Sequence, residues 1–229
     1  MATTSHDRNE AVAVVTVILK AVQGTLAGQS GETGAKTNLL CGQLITNGST
    51  ELQAGGMQFW TDLRDCFEAA QQAGATFAGM GKVLTTIQAQ APVSRVAKAV
   101  VNFSTRMTLM EQARILAATT FTSRQQIDTF FAEIDASFQA AELVAADNFD
   151  NVAYVALINV HAAVSNDLAN RAFALPVMVS YSFSDSMPSL WLAQRLYQDA
   201  SRGDELIAEN RPIHPLFMPL SGKALASNA

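Results

Sequence analysis

Cysteine is scarce in this sequence. Cys41 and Cys66 are the only two among 229 residues, they have no CxxC spacing, and two thiols are too few for a disulfide scaffold or a thiolate-rich metal centre. That usage suits folding in a reducing cytoplasm; whether the two pair stays open at this level. Histidine is just as sparse, and His6, His161 and His214 are too scattered to suggest metal ligation by spacing. Excess positive charge is lacking too: 15 Lys and Arg against 20 Asp and Glu give a formal net charge of -5. A surface that gains affinity by displacing counterions from phosphates is therefore not expected, and nucleic acid is a poor first guess. No apolar run reaches the roughly 20 residues that cross a bilayer. The longest, AVAVVTVILKAV from Ala11 to Val22, carries Thr16 and Lys20, and the opening residues lack a signal-peptide layout. What the chain has in quantity is apolar side chains, 49% against 15% charged, enough for the core of one or two domains and too many for disorder.

Catalytic signatures are missing as well. GQSGETGAKT, residues 28 to 37, lacks the glycine directly before lysine that lets backbone amides and an ammonium converge on one phosphate, because Ala35 separates Gly34 from Lys36. It reads as a flexible loop. Asp62, Asp65 and Glu68 share one side of a helix, but nothing supplies a pocket to split their pKa values, so they read as a solvated acidic face. No serine or cysteine stands in a nucleophile motif. The chain is thus expected to be no enzyme and to hold no cofactor or metal.

Helical periodicity dominates the chain. Asp7 with Glu10 can cap a helix over about 8 to 27, although the valines keep a buried strand open. Residues 24 to 56, with Asn47-Gly48 and Gly55-Gly56, read as a long connection or a small loop-rich subregion. From Met57 a helix follows with Phe59, Leu63, Cys66, Phe67 and Ala70 on one stripe, broken at Gly79 and Gly81. After Pro92 the inward face reads Val93, Val96, Val100, Phe103, Met107 and Met110, with Arg95, Lys98 and Arg106 opposite. Ser123 with Gln126 forms a capping box ahead of Ile127, Phe130, Phe131, Ile134, Phe138 and Ala141, a helix to about Ala146 whose phenylalanines read as core rather than a base-stacking platform. NFDN, 148 to 151, is a turn. Tyr154, Leu157, Ile158, His161, Val164 and Leu168 then mark a second long helix ending near Ala174, and two long helices joined by a short turn pack antiparallel.

Pro176 ends that pattern, and VMVSYSF over 177 to 183 alternates as a half-buried strand should. Pro188 suits a helix first turn. Leu192, Ala193, Leu196 and Tyr197 face inward on one short helix, and Ser201 with Asp204 caps a second whose inward residues are Leu206 and Ile207, ended by Asn210 and Pro212. An extended, proline-punctuated tail, IHPLFMPLSGKAL, follows. Strand, helix, helix, extended segment is the order of a LysM-like module. The expected architecture is therefore mainly α: residues 1–56 as an N-terminal helix and Gly-rich connection, 57–175 as a helical domain with a long antiparallel hairpin, and 176–229 as a small LysM-like α+β module and tail.

LAQRLYQDASRGDELIAENRPIHPLFMP, together with the preceding ARILAATTFTSRQQIDTFF, carries a resemblance. From about Arg106 to Ala226 the chain resembles the C-terminal half of the Mu-like tail/DNA circularisation proteins of contractile-tailed phages. The shared pattern is Leu-Ala, Arg-Leu-Tyr-Gly-Asp, a short helix ending in Asn, then Ile-x-His-Pro; here Gln198 replaces the Gly, and the aromatic- and Gly-rich N-terminal domain of the family has no counterpart in residues 1–100. The resemblance implies a structural virion protein, assembled in the host cytoplasm, at the junction of tail tube and baseplate hub. It further implies a homo-oligomeric ring around the tail axis, six copies being one candidate, with tube and hub proteins as partners and neither membrane nor sequence-specific nucleic acid among them. Within the matched region Leu192, Ala193, Leu196, Tyr197, Leu206, Ile207, His214 and Pro215 are the expected module core, His214 fixing the turn after the second short helix. A 100° step per residue sets Trp191 toward Arg195 and Gln198 on another face, which with Arg202 makes a candidate interface; packing of Trp191 on its own subunit stays open. Two other classes compete with assembly: a LysM-like peptidoglycan-binding protein and a cell-wall hydrolase.

Overall fold

The computed structural model describes residues 4–26 and 31–226. It is mainly helical with one two-stranded antiparallel sheet near the C-terminus. The chain forms two compact units, Met1–Thr119 with Ile134–Val164, and Thr120–Glu133 with Ser165–Ala229. This division differs from 1–56, 57–175 and 176–229, because the helices Arg124–Asp147 and Asn151–Ala174 each run from one unit into the other.

In the first unit, α1 (Ser5–Gly24) is enclosed by its neighbours and buries Ala11, Val14, Val15, Ile18, Leu19 and Val22, which explains why its sequence is apolar on several sides. Its cap lies one turn earlier than Asp7-Glu10 implies: Thr4 is the N-cap, and Asp7 is the residue that reaches back to the Thr4 N–H. Glu10 has a different task. Its two carboxylate oxygens accept from the Val93 and Ser94 N–H groups at 2.7 and 2.8 Å and so cap the next long helix but three.

The reading of 24–56 as a connection is overturned, since α2 (Glu32–Gln53) is a helix of 22 residues and the Asn47-Gly48 pair lies inside it. Gly48 is there for space: a Cβ at that position would sit 3.2 Å from the Phe59 ring. Residues 31–37 of the supposed phosphate-like loop begin this helix, and 28–30 lie outside the described residues. α3 (Met57–Gln72) buries the whole predicted stripe, Phe59, Leu63, Cys66, Phe67 and Ala70. The chain then breaks at Ala73–Thr76, where Gly74 adopts φ +87°, and not at Gly79 and Gly81, which lie inside α4 (Phe77–Gln88). Thr76 accepts from the Gly79 N–H as its cap.

α5 (Arg95–Ala118) is rotated from its predicted face. Val93 is 82% exposed, whereas Ala97, Val100, Ser104, Thr108, Leu109, Glu111, Gln112, Ala113 and Leu116 turn inward. Phe103, Met107 and Met110 are only half-buried. α6 (Arg124–Asp147) and α7 (Asn151–Ala174) are joined by a turn in which Phe149 takes φ +57°. Within the first unit they run antiparallel, Phe138 of α6 stacking on His161 of α7 with ring centroids 5.1 Å apart. Ile134, Phe138, Ala141, Leu157 and Leu168 are buried as the pattern requires, but Phe131, Tyr154 and Ile158 are exposed. The capping box at Ser123 is displaced: Gln126 accepts from the Thr122 N–H, and the Ser123 hydroxyl is buried with no hydrogen-bond partner.

In the second unit, β1 (Met178–Ser182) pairs antiparallel with β2 (Ser221–Leu225), Tyr181 opposite Gly222. Between them come α8 (Ser189–Tyr197), one 3₁₀ turn (Ala200–Arg202) and α9 (Gly203–Asn210). Tyr181, Leu192, Ala193, Leu206, Met218 and Ala224 form a core of their own. Ser201 does not cap α9; its N–H and hydroxyl both donate to Asp199. A two-stranded ribbon is marginal alone, and here side-chain amides pair with its outer edges. Gln125 accepts from the Met178 N–H and donates to its carbonyl, while Asn210 does the same at Lys223, at 2.7 Å in both directions.

Candidate functional site

The residues expected to form the module core divide in two. Leu192, Ala193 and Leu206 are buried, and Leu196, Tyr197 and Ile207 pack around them half-buried, the Tyr197 hydroxyl accepting from the Leu225 N–H at 3.1 Å. His214 and Pro215 are exposed and belong to the surface. Their role is local: His214 Nδ1 accepts from the Leu216 N–H, the His214 carbonyl accepts from the Phe217 N–H, and Pro215 offers its carbonyl to Ser189 at the start of α8. The loop so shaped presents Ile213, Leu216, Phe217 and Leu220 to solvent, and beside it an open depression of about 510 Å³ is lined by Asn210, Arg211, Pro212 and Phe217 among others.

The proposed interface group is only partly one surface. Trp191 is 45% exposed, meets Phe183 edge-on, and has the Arg195 guanidinium 5.8 Å from its ring centroid. Gln198 is exposed at the end of α8 with φ +59°. Arg202 stands apart from Trp191, stacked 3.9 Å over the Tyr197 ring and bound through two nitrogens to Glu205, which keeps its guanidinium firmly protonated. Its work is inside the module.

On the first unit there is a second exposed apolar surface, made of residues the sequence pattern did not single out. Leu143, Phe149, Val152 and Val155 at the end of the α6–α7 hairpin are largely exposed, and an apolar groove of about 320 Å³ runs between the hairpin and the Phe103, Met107 and Met110 side of α5. Arg106 and Asp150 close one end of that groove with a 2.7 Å ion pair. Asp150 also accepts from the Ala153 N–H as the cap of α7, and these bonds, the backbone one first, hold its carboxyl below the ordinary range. Among the described residues α7 is one helix long and apolar enough to cross a membrane by length and composition alone.

His161 is held between two carboxylates. Its Nδ1 lies 2.9 Å from Glu142 and its Nε2 2.9 Å from Asp135, so only the imidazolium can donate to both carboxylates. Cys41 and Cys66 are free, buried and adjacent; the hydrogen bond between them draws the Cys41 thiol down and, with burial, pushes the Cys66 thiol up. Of the acidic trio, Asp65 pairs with Arg64, Glu68 with Arg64 and Arg114, and Asp62 accepts from Gln58. Sequence reasoning missed the polar stretch buried on α5, where Glu111 is wholly enclosed, pushed up by burial and countered by Arg114 at 2.8 Å. Among the described residues no group of His, Cys, Asp and Glu could hold a metal ion. No family model matches the chain, and no curated protein matches it.

Proposed function

We propose that the protein is a structural component of a contractile phage tail, an adaptor between tail tube and baseplate hub that acts in tail assembly, with residues 178–225 as a LysM-like fitting. The observation that carries the reading is the module itself: about fifty residues close around their own core, Met218 included, and leave Ile213, Leu216, Phe217 and Leu220 of a proline-punctuated loop facing outward. Side chains of that kind on such a loop suit docking into a complementary protein surface, and exposed Trp191 beside Arg195 adds an anchor of the type that dominates interfaces. The mechanism is surface complementarity multiplied by symmetry, many weak contacts engaged at once around a ring.

The test is to locate the chain in purified tails by electron cryomicroscopy or antibody labelling. Density at the tube–hub junction supports the reading, and absence from intact tails overturns it. Retention on purified cell wall would instead favour sugar binding by the module, and clearing in a zymogram would favour a hydrolase.

A further inference from the structure

The end of the α6–α7 hairpin carries a group of exposed apolar side chains. Leu143, Phe149, Val152, Tyr154, Val155 and Ile158 all lie within the first unit, with Phe149 89% and Val152 84% exposed. On α7, Val152, Val155 and Ile158 follow one another at a spacing of three and so share the side opposite buried Ala153 and Leu157. The exposed fractions of these six residues, backbone included, amount to on the order of 700 Å², to be set against the roughly 300–600 Å² of the largest patch on a typical monomer and the about 800 Å² that each partner gives to a standard interface.

The charge pattern narrows the occupant. From Asn151 to Asn166, α7 has no Asp, Glu, Lys or Arg. Of the acids around the hairpin end, Asp150 is engaged with Arg106, and Asp135 and Glu142 with His161, while Asp147, exposed at the last position of α6, borders the patch on the Leu143 and Phe149 side. Copies of a chain with net charge -5 repel one another over most of their surface. That repulsion is least where charge is absent, and charge-depleted apolar patches are what homodimer interfaces show. A bilayer fits less well: α7 continues into Asp167 and Arg171, and its His161 side is held against α6 by two carboxylates.

We infer that the outer face of the α6–α7 hairpin end is the surface through which copies of this chain associate. The inference rests on the assembly reading for its setting, but it is tested on the purified chain alone. Sedimentation velocity of the full chain from about 1 to 100 μM is compared with V152E/V155E and, separately, F149D; all three side chains are exposed, and unchanged circular dichroism and Tm confirm folding. The expected result is reversible association of the wild type, undiminished in 0.5 M salt because the contact is apolar, and at least a hundredfold weakening in the double variant. A wild type that stays monomeric throughout overturns the inference, as does a folded double variant that associates equally well. Flotation of monomeric wild type with phosphatidylcholine/phosphatidylglycerol vesicles, lost in V152E/V155E, would assign the face to lipid and overturn it too. Association in solution together with absence from tail particles would sink the adaptor reading and leave this one standing.

Discussion

Gln198 shows how one residue can occupy a position that suits another. It ends α8 in the left-handed region at φ +59°, where its N–H donates to Gln194 and its side chain is exposed. A Cβ in that conformation meets the following carbonyl, a cost of about 1 kcal/mol that glycine avoids. The Gln198→Gly variant should therefore be more stable by about 1 kcal/mol, read as a rise in Tm by calorimetry; an unchanged or lower Tm would show that the side chain contributes something the geometry does not reveal. Glu10 illustrates a long-range cap. The Ser94 hydroxyl and the Val93 and Ser94 N–H groups hold its carboxyl below the usual glutamate value. The unfolded chain thus takes up the proton first, so the stabilisation is complete above the ordinary range near pH 4.3 and fades as pH falls through and below it. Glu10→Gln should lower Tm at neutral pH, and the gap to wild type should narrow as pH falls below the ordinary glutamate range. A gap that stays constant in acid would mean the carboxylate charge is not what α5 uses.

Elements were legible wherever burial followed a single period. The α3 stripe, the α6 core and the hairpin turn could be read because one face is apolar and the opposite face is not. α2 could not, because Gly42, Gly48, Ser49 and its threonines carry loop propensity while serving packing: Gly48 admits the Phe59 ring, and Thr37 and Thr46 satisfy their hydroxyls on carbonyls one turn back. The face of α5 was misread for the converse reason. Its inward residues include Ser104, Thr108, Glu111 and Gln112, so the apolar period pointed at the groove-lining side instead. At the C-terminal sheet the signals for strand and helix were local and clear, but the amide edge-pairing by Gln125 and Asn210 is invisible to any periodicity. Gly222 belongs to that arrangement: a Cβ there would overlap Asn210 Oδ1 and the Tyr181 ring hydroxyl. Gly222→Ala should cost at least about 2 kcal/mol and make the segment after Pro176 the first to be cut in limited proteolysis. A variant as protease-resistant as wild type would show that the sheet end can open at little cost.

At the scale of the whole molecule, charge and apolar exposure are arranged separately. The acid excess is spread over a chain in which one group of exposed apolar side chains lies at the hairpin end in one unit and another on the Ile213–Leu220 loop in the other. The exposed hairpin face was hidden from sequence reasoning because Tyr154 and Ile158 lie at helical spacing from truly buried Leu157 and Leu168, and periodicity cannot tell a face covered by its own chain from one left for another copy. Such a partition bears on nucleic acid. Tight duplex binding needs several cations converging on phosphates, and here Arg64, Arg106, Arg114, Arg171 and Arg202 are each already bound to carboxylates. In an electrophoretic mobility shift with linear duplex DNA at about 20 mM salt, the full chain should leave the DNA unshifted at micromolar concentration, the range in which sequence-independent binders act. A shift that vanishes as salt is raised toward 200 mM would reveal a basic groove formed from the cations left over.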